Sequence, residues 1–267
     1  MSSTESNKDN NTESRVEPNV QLNSSEPSGY DQQYDEAQEA RRAFTANVSH
    51  ELKTPLTVIL GYSELLKDGS VAPEDTTKVS SVIYEEARYM LSLVDDILTL
   101  SQLDEYNTTG NTSAHAVLVD LAAITADVLE RLEPFAEQNS IQCTFELIGN
   151  GTTEVMGIER LLTSIVYNLS ENAVRYNVPG GKVTITIEGQ DDSVRLAVTD
   201  TGLGIAEQDQ PRIFERFYRV DQAHSRHSGG TGLGLAIVKH GAQYHKASLL
   251  LKSELQKGTE VTVVFPR

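Results

Sequence analysis

Two consecutive stretches of the sequence repeat their apolar residues with the period of an α-helix, and each stretch has a single apolar stripe. At ~100° per residue, the first stripe consists of Phe44, Val48, Leu52, Ile59 and Leu66. The second stripe, in a helix from Pro73 to about Leu103, consists of Val79, Ile83, Met90, Val94 and Ile97. Polar residues 67–70 break the pattern, so the sequence predicts an antiparallel helical hairpin. One stripe per helix leaves the hairpin partly uncovered, whereas a four-helix bundle of two copies buries both stripes, which predicts a homodimer.

From about residue 114 the periodicity changes to alternating short strands and helices. The predicted strands are 117–119, 142–147, 183–188, 194–199, 249–253 and 260–265, and the predicted helices are 120–139, 158–176 and 233–244. Asp120 is the expected cap of the first of these helices. The fold class that we expect is therefore α+β: a dimeric antiparallel helical hairpin, forming a four-helix bundle, followed by an α/β sandwich with a mixed sheet.

The predicted domain boundaries follow changes in composition. Residues 1–40 contain nine acidic residues against Lys8 and Arg15, with few large apolar side chains, which predicts a disordered acidic tail. Residues 41–104 form the predicted hairpin, the polar segment 105–113 is a predicted linker, and residues 114–267 form the sandwich domain.

Charge and composition disfavour several classes of protein. A net charge of −17 disfavours binding to nucleic acid, because its phosphates are also negative. Cys143 is the single cysteine, so an intramolecular disulfide and a cysteine zinc site are excluded, which fits a reducing cytoplasm. No apolar run is long enough to cross a bilayer, and the first residues lack the apolar region of a signal peptide. We therefore expect a cytoplasmic chain without a membrane span.

A histidine lies on the polar side of the first predicted helix. Relative to Val48, His50 is turned ~200° away from the centre of the apolar stripe, and Thr54 follows one turn later on the same face. A neutral imidazole offers a nucleophilic nitrogen, and Glu51 can hold the other ring N–H and accept the released proton. A lone surface histidine usually has no such task, so the surrounding sequence has to decide.

Ser49 to Leu56 resembles the phosphoacceptor segment of sensor histidine kinases, in which Ser-His-Glu is followed by an apolar residue, a basic residue and Thr-Pro-Leu. All eight positions match. The resemblance implies that His50 accepts a phosphoryl group and that Pro55 bends the helix just after it. It also implies that Thr54 orients water for dephosphorylation of a partner, with a surface threonine without a task as the alternative.

The sandwich resembles the ATP-binding domain of the same family. Residues 168–176 match its N-box, and Asn168, Asn172 and Arg175 share one face of the helix. Amide oxygens suit Mg²⁺, and a guanidinium suits phosphate. The resemblance implies that Asn172 binds Mg²⁺, that Arg175 contacts phosphate, and that Asn168 and Tyr176 belong to the ATP site. Arg175 stands where the family usually has Lys or His.

Two glycine-rich turns and an aromatic segment extend the resemblance. In the family, the aspartate that matches Asp200 accepts a hydrogen bond from the adenine amine, and residues 213–219 match the F-box. The ATP-binding residues implied in these segments are Asp200, Gly202, Gly204, Ile205, Phe217, Arg219, Gly230, Thr231, Gly232, Leu233 and Gly234. The last five open a helix, whose free N–H groups suit phosphate. No βαβ repeat surrounds this turn and no Gly-Lys-Ser/Thr is present, which argues against Rossmann and Walker A sites.

The polar residues 220–230 separate the F-box from the glycine turn and predict a mobile lid. Contact with nucleotide is one alternative for the two histidines of this segment, His224 and His227. The remaining histidines are expected to be structural or solvated; these are His115, His240 and His245.

Asn168 separates this chain from related ATPases of the same fold, such as gyrase, which have a water-activating Glu there. An amide is not a general base, so ATP is expected to react with a protein nucleophile. The resemblance implies a sensor histidine kinase, most like the phosphate-sensing type, that uses ATP and Mg²⁺, phosphorylates His50 and then phosphorylates an aspartate in the receiver domain of a response regulator.

Two alternatives remain open at this point: an ATP-gated interaction module, and a phosphatase-dominated regulator with vestigial kinase activity. The stimulus is not visible in the sequence. The resemblance implies either a soluble kinase regulated by a partner or the cytoplasmic part of a membrane receptor.

Overall fold

The computed structural model describes residues 29–109, 116–149, 151–220 and 230–267, without the side chains of 29–38, 40, 41 and 107–109. The chain divides into two units, Met1–Thr45 and Ala46–Arg267. In the first unit, helix α1 (Gly29–Lys67) begins, and it continues into the second.

The start of α1 differs from the predicted boundary. Residues 29–40 were expected to belong to the disordered tail, and that part of the prediction is wrong because they are helical. Residues 32–40 are rich in Gln, Glu and Ala, which are good helix formers and extend a helix that has already nucleated. The rest of the predicted tail, residues 1–28, lies outside the described residues.

The second helix of the hairpin is α2 (Thr76–Thr109), which follows a 3₁₀ turn at Pro73–Asp75. The two predicted helices are therefore confirmed. Some apolar side chains of the hairpin remain largely exposed in the single chain, among them Leu56, Leu60, Leu91 and Leu98. Within the described residues, no helix combines the length and the apolar content that a bilayer span requires.

The end of α2 also differs from the prediction, because the helix continues into the expected linker. Leu103 has no exposed surface, and the ring of Tyr106 lies 5.3 Å from that of Tyr244 between centroids. These contacts stabilise the last turns of the helix, so the prediction of a linker is wrong for residues 105–109. Residues 110–115 lie outside the described part of the chain.

The sandwich domain alternates strands and helices, as predicted. Its elements are β1 (Val117–Asp120), α3 (Leu121–Gln138), β2 (Gln142–Ile148), β3 (Glu154–Gly157), α4 (Glu159–Arg175), β4 (Lys182–Gly189), β5 (Ser193–Asp200), α5 (Gly234–Tyr244), β6 (Ser248–Glu254) and β7 (Gly258–Pro266). Strands β2, β4, β5, β7 and β6 form one sheet in that order. Strand β2 is parallel to β4 and the other neighbours are antiparallel, which confirms the mixed sheet. Strand β3 was not predicted, and it pairs with β1.

The core lies between this sheet and the helices of the sandwich. Alternate residues of β4 face it, as the two-residue period of a strand requires; these are Val183, Ile185 and Ile187, all without exposed surface. Helix α3 begins where the Asp120 carboxylate accepts a hydrogen bond from the Ala122 N–H at 2.9 Å, which confirms the predicted cap.

His245, at the end of α5, has the structural role expected for it. The side chain is buried, the Ile158 N–H donates to its Nε2 at 3.2 Å, and its Nδ1 lies 2.8 Å from the Gly241 carbonyl oxygen. Because Nε2 is an acceptor, Nδ1 carries the proton. Burial lowers the pKa of His245 below its ordinary value, so the folded state favours the neutral ring.

The contribution of His245 to stability should therefore depend on pH. An unfolded histidine titrates near pH 6.5, whereas the folded pKa is lower, so the unfolded state binds more protons as the pH falls and stability is lost. We expect the free energy of unfolding of wild type to exceed that of His245→Gln by less at about pH 5.5 than at about pH 7.5. Urea unfolding at both pH values measures this difference, and an equal gap at both would contradict the assignment.

Candidate active site

A cavity of about 810 Å³ opens beside α4, and helix α2, the segment 213–219 and the glycine turn before α5 also line it. The predicted ATP-binding residues that line it are Asn168, Asn172, Arg175, Tyr176, Arg219, Gly230, Thr231, Gly232 and Gly234. Other predicted residues do not line it, namely Asp200, Gly202, Gly204, Ile205, Phe217 and Leu233. The predicted lid spans residues 220–230, and its central part, 221–229 with His224 and His227, lies outside the described residues.

The N-box helix and the glycine turn meet at Asn168. The Asn168 side-chain N–H donates to the Ser164 carbonyl at 2.9 Å, and this bond orients the amide oxygen away from its own helix. A Cβ at Gly234 would collide with that oxygen, so a larger residue there would have to displace the Asn168 amide. The N-terminus of α5 therefore faces the cavity beside a fixed amide.

Arg175 is fixed by two neighbours on the same wall. Its guanidinium pairs with Glu171 at 2.9 Å and lies 5.2 Å from the ring centroid of Phe135. The cation is therefore partly neutralised before any ligand binds, and a phosphate near it has to share the guanidinium with Glu171.

The Asp200 turn lies beside the cavity and contacts it through the end of α4. One oxygen of the Asp200 carboxylate accepts the N–H groups of Gly202 at 2.8 Å and Thr259 at 3.2 Å. Burial raises the pKa of Asp200, and these two hydrogen bonds oppose that effect. The Leu203 N–H donates to the carbonyl of Tyr176 at 3.0 Å, and Tyr176 lines the cavity.

The second glycine of this turn allows a close backbone approach. Gly204 has a φ of +64°, and a Cβ there would meet the backbone of Glu254. The Ile205 N–H donates to Ser253 Oγ at 2.8 Å, so the turn is fixed to strand β6.

The F-box and the glycine turn form one hydrogen-bonded unit. The Phe217 N–H donates to the Gly232 carbonyl at 2.9 Å, and both residues have a positive φ. Leu233 has no exposed surface, and its N–H donates to the Thr231 hydroxyl at 3.2 Å. Phe217 and Leu233 thus stabilise the turn but do not line the first cavity.

Helix α2 contributes an acid that sequence reasoning missed. The Thr231 hydroxyl donates to Asp96 Oδ2 at 2.7 Å, and burial raises the pKa of Asp96 to about 6. The cavity is also lined by Ser92, Asp95 and Thr99 from α2. The sequence did contain a signal for this acid, because Asp95 and Asp96 interrupt the most apolar part of the helix.

The segment around His50 faces a second cavity, of about 630 Å³. His50 and Glu51 line it from α1, and the F-box lines it from the sandwich. The His50 side chain is 68% exposed, and its Nδ1 lies 3.6 Å from Glu51 Oε1. Thr54 lies one turn further, where its hydroxyl donates to the His50 carbonyl at 3.3 Å. Among the residues that the structure describes, three line both cavities: Tyr218, Arg219 and Thr231.

Two family models match the chain over these two parts. The model described as "His Kinase A (phospho-acceptor) domain" matches residues 40–106. The model described as "Histidine kinase-, DNA gyrase B-, and HSP90-like ATPase" matches residues 157–267. A phosphoacceptor hairpin joined to an ATPase-like sandwich is the combination of domains that defines sensor histidine kinases. The chain belongs to this family.

Individual relatives agree with the two matches. Sensor-like histidine kinase SenX3 of Mycolicibacterium smegmatis is 36% identical over 226 residues, which are 85% of this chain and 57% of that protein. Phosphate regulon sensor protein PhoR of Pseudomonas aeruginosa is 36% identical over 230 residues, 85% of this chain and 50% of that protein. The match to PhoR agrees with the predicted resemblance to phosphate-sensing kinases. The chain thus spans about half the length of the curated relatives that it matches.

A solved structure agrees with the fold. Full-length ShkA in complex with AMPPNP has a TM-score of 0.60 and 30% identity, covering 83% of this chain and 45% of that chain.

Asp96 should weaken the binding of an anionic nucleotide in the first cavity. Asp96→Asn keeps an oxygen for the Thr231 hydroxyl but removes the negative charge, so we expect ATP affinity to rise roughly three- to ten-fold near pH 7.5. Because the pKa of Asp96 is about 6, its carboxyl group is largely neutral in wild type at about pH 5.5. The difference in ATP affinity between variant and wild type should therefore be smaller at that pH.

Calorimetric titration with ATP at both pH values tests this expectation. Glu85→Gln is the matched control, because Glu85 is exposed on the same helix and does not line the cavity. If the difference in ATP affinity between Asp96→Asn and wild type does not change with pH, the charge of Asp96 is excluded as the cause of that difference.

Proposed function

We propose that this chain is a protein-histidine kinase that phosphorylates His50 with ATP. The observation that carries the proposal is the shared wall of the two cavities, since Tyr218, Arg219 and Thr231 line both. One cavity has the N-box face and the glycine turn, and the other has the exposed imidazole. A γ-phosphoryl group bound at the shared wall is therefore adjacent to a nucleophile in the same chain.

The residues around His50 suit an in-line transfer. The Nε2 lone pair forms the new N–P bond to the γ-phosphorus, and the bond between that phosphorus and the β–γ bridging oxygen breaks. ADP leaves with the bond's electron pair. The Nδ1 proton passes to Glu51, whose Oε1 lies 3.6 Å from Nδ1. Arg219, at the shared wall, is placed to balance charge on the transferred group.

The donor set of the first cavity fits Mg²⁺, which prefers oxygen ligands and takes few of them from protein. Asn172 would hold the ion through its amide oxygen, with Asn168 on the same helix face. Mg²⁺ bound with ATP neutralises charge on the phosphates. Because Asn168 is an amide, the N-box has no carboxylate there to activate water, which favours transfer to His50 over hydrolysis.

A homodimer and a response regulator are the proposed partners. The exposed leucines Leu56, Leu60, Leu91 and Leu98 lie on the hairpin, where a second copy would cover them in a four-helix bundle. The exposed face with His50 and Thr54 is open to the receiver domain, whose aspartate takes the phosphoryl group from His50. ATP as the substrate favours a cytoplasmic location.

A second activity, dephosphorylation of the regulator, is favoured by the position of Thr54. Its hydroxyl is exposed and lies one helical turn from His50, so a docked receiver that reaches one residue reaches both. A nucleotide-gated module without transfer is disfavoured, because it gives no task to the His50–Glu51 pair.

His50→Gln should abolish autophosphorylation and leave ATP affinity unchanged, because the side chain is exposed and lies outside the nucleotide cavity. Incubation with γ-labelled ATP and counting of acid-labile label on the protein measures the first property, and calorimetry measures the second. Label that persists on this variant would show that another residue is the acceptor.

Thr54→Ala should spare autophosphorylation and slow the dephosphorylation of the regulator by roughly ten- to a thousand-fold, since one water-orienting hydrogen bond is lost. Decay of purified phospho-regulator, with nucleotide present, measures the effect. Thr57→Ala is the control, because Thr57 is also exposed on α1 and also donates to the carbonyl four residues earlier. Equal decay with wild type and Thr54→Ala would remove Thr54 from the site.

A further inference from the structure

Glu51 contacts a second group besides His50, and that group belongs to the other helix of the hairpin. The hydroxyl of Tyr89 on α2 donates to Glu51 Oε2 at 3.2 Å. The other carboxylate oxygen, Oε1, is the one that lies 3.6 Å from Nδ1 of His50. The two oxygens therefore have separate neighbours, a phenol on one side and an imidazole on the other.

Tyr89 is suited to be a permanent hydrogen-bond donor. It is half-buried, and burial together with the negative charge of Glu51 raises the pKa of Tyr89 to about 12. Arg219 opposes this effect from the F-box, and Glu86 adds to it from α2. A phenol with these surroundings keeps its proton at cellular pH, so Glu51 always has a donor at Oε2.

The hydrogen bond restricts a side chain that otherwise has several rotamers. Glu51 is partly solvated, with 32% of its side chain exposed, so water competes for its oxygens. Helix α1 alone fixes only the Cα of Glu51, whereas a bond from α2 fixes the carboxylate itself. Catalytic geometry requires such support, because a small displacement of a proton acceptor lowers the rate strongly.

We propose that Tyr89 is a positioning residue, which holds the Glu51 carboxylate against Nδ1 of His50 and thereby keeps the lone pair of the imidazole on Nε2. The inference deepens the proposed function and rests on it. In the transfer step, Glu51 gains the Nδ1 proton as the N–P bond forms, and Tyr89 keeps its own proton throughout. Tyr89 touches no reacting atom and acts through Glu51 alone.

The test compares four variants of the full chain: Tyr89→Phe, Glu51→Gln, the double variant and Tyr84→Phe. Tyr84 is the matched control, because it lies on the same helix but is exposed and contacts Arg88. Tyr89→Phe should lower the maximal rate of His50 labelling about ten-fold, which is the loss of one hydrogen bond to a charged group. The KM for ATP should not change, since Tyr89 does not line the nucleotide cavity.

The double variant separates positioning from folding. If Tyr89 acts through Glu51, Tyr89→Phe should have no further effect on the low rate of Glu51→Gln. A loss of folding would lower the rate by the same factor in both backgrounds. Equal factors in the two backgrounds would therefore overturn the inference.

A spectroscopic measurement gives a second readout. The ¹⁵N shifts of an imidazole report which ring nitrogen carries the proton, and the His50 signals are assigned by their absence in His50→Gln. In wild type we expect the Nδ1–H tautomer to dominate, and Tyr89→Phe should shift its population toward Nε2–H. If Tyr89→Phe has the tautomer population and the labelling rate of wild type, the inference about Tyr89 is overturned and the proposed function is unaffected. Label that remains on His50→Gln would overturn the proposed function, and the inference with it.

Discussion

Helix α2 is held against α5 by an apolar cluster to which α2 contributes three leucines without exposed surface. These leucines follow helical spacing and are Leu93, Leu100 and Leu103. The buried residues that complete the cluster on the sandwich side are Leu161, Leu233, Ala236, Ile237 and Tyr244. Each fully buried leucine contributes ~1.5–3 kcal/mol relative to an exposed one, so this contact determines how the hairpin and the sandwich face each other. Both cavities depend on it, because α2 lines the first and the paired helix α1 lines the second.

Polar contacts at the edge of the cluster fix how α2 is aligned against the sandwich. Arg216 pairs with Asp104 at 2.6 Å and lies 3.3 Å from Nε2 of His240, while Arg160 donates to Gln102. Burial, with the Arg216 charge, lowers the pKa of His240, so this neighbour of the ion pair favours the neutral state. Partly exposed ion pairs contribute little stability. Their effect is to select which residues of α2 oppose the glycine turn, and Asp96 is the one that reaches Thr231.

Much of the fold and part of the site could be predicted from local patterns. The two hairpin helices, the individual strands of the sandwich and the Asp120 cap each depend on residues close together in the sequence, and the exposure of His50 follows from its position opposite the apolar stripe. Contacts between distant segments could not be predicted, because no periodicity encodes them. Asp96, Tyr89 and the packing of Tyr106 on Tyr244 are of this kind.

The two wrong boundaries have the same origin. A polar composition was interpreted as a lack of structure in residues 29–40 and 105–109. Residues 29–40 are helical because they continue helix α1. Residues 105–109 are helical because a buried tertiary contact stabilises the end of α2. The motif residues that do not line the nucleotide cavity remain predictions about binding, and their backbone contacts explain why Gly204 and Leu233 suit their positions without any ligand.

The wall formed by Tyr218, Arg219 and Thr231 has two surfaces, and each surface belongs to a different cavity. A substitution there alters the lining of both cavities at once, so neither cavity can be changed at these positions without changing the other. A small molecule that displaces this wall from the nucleotide side would also reshape the space around His50, even though it never touches the imidazole.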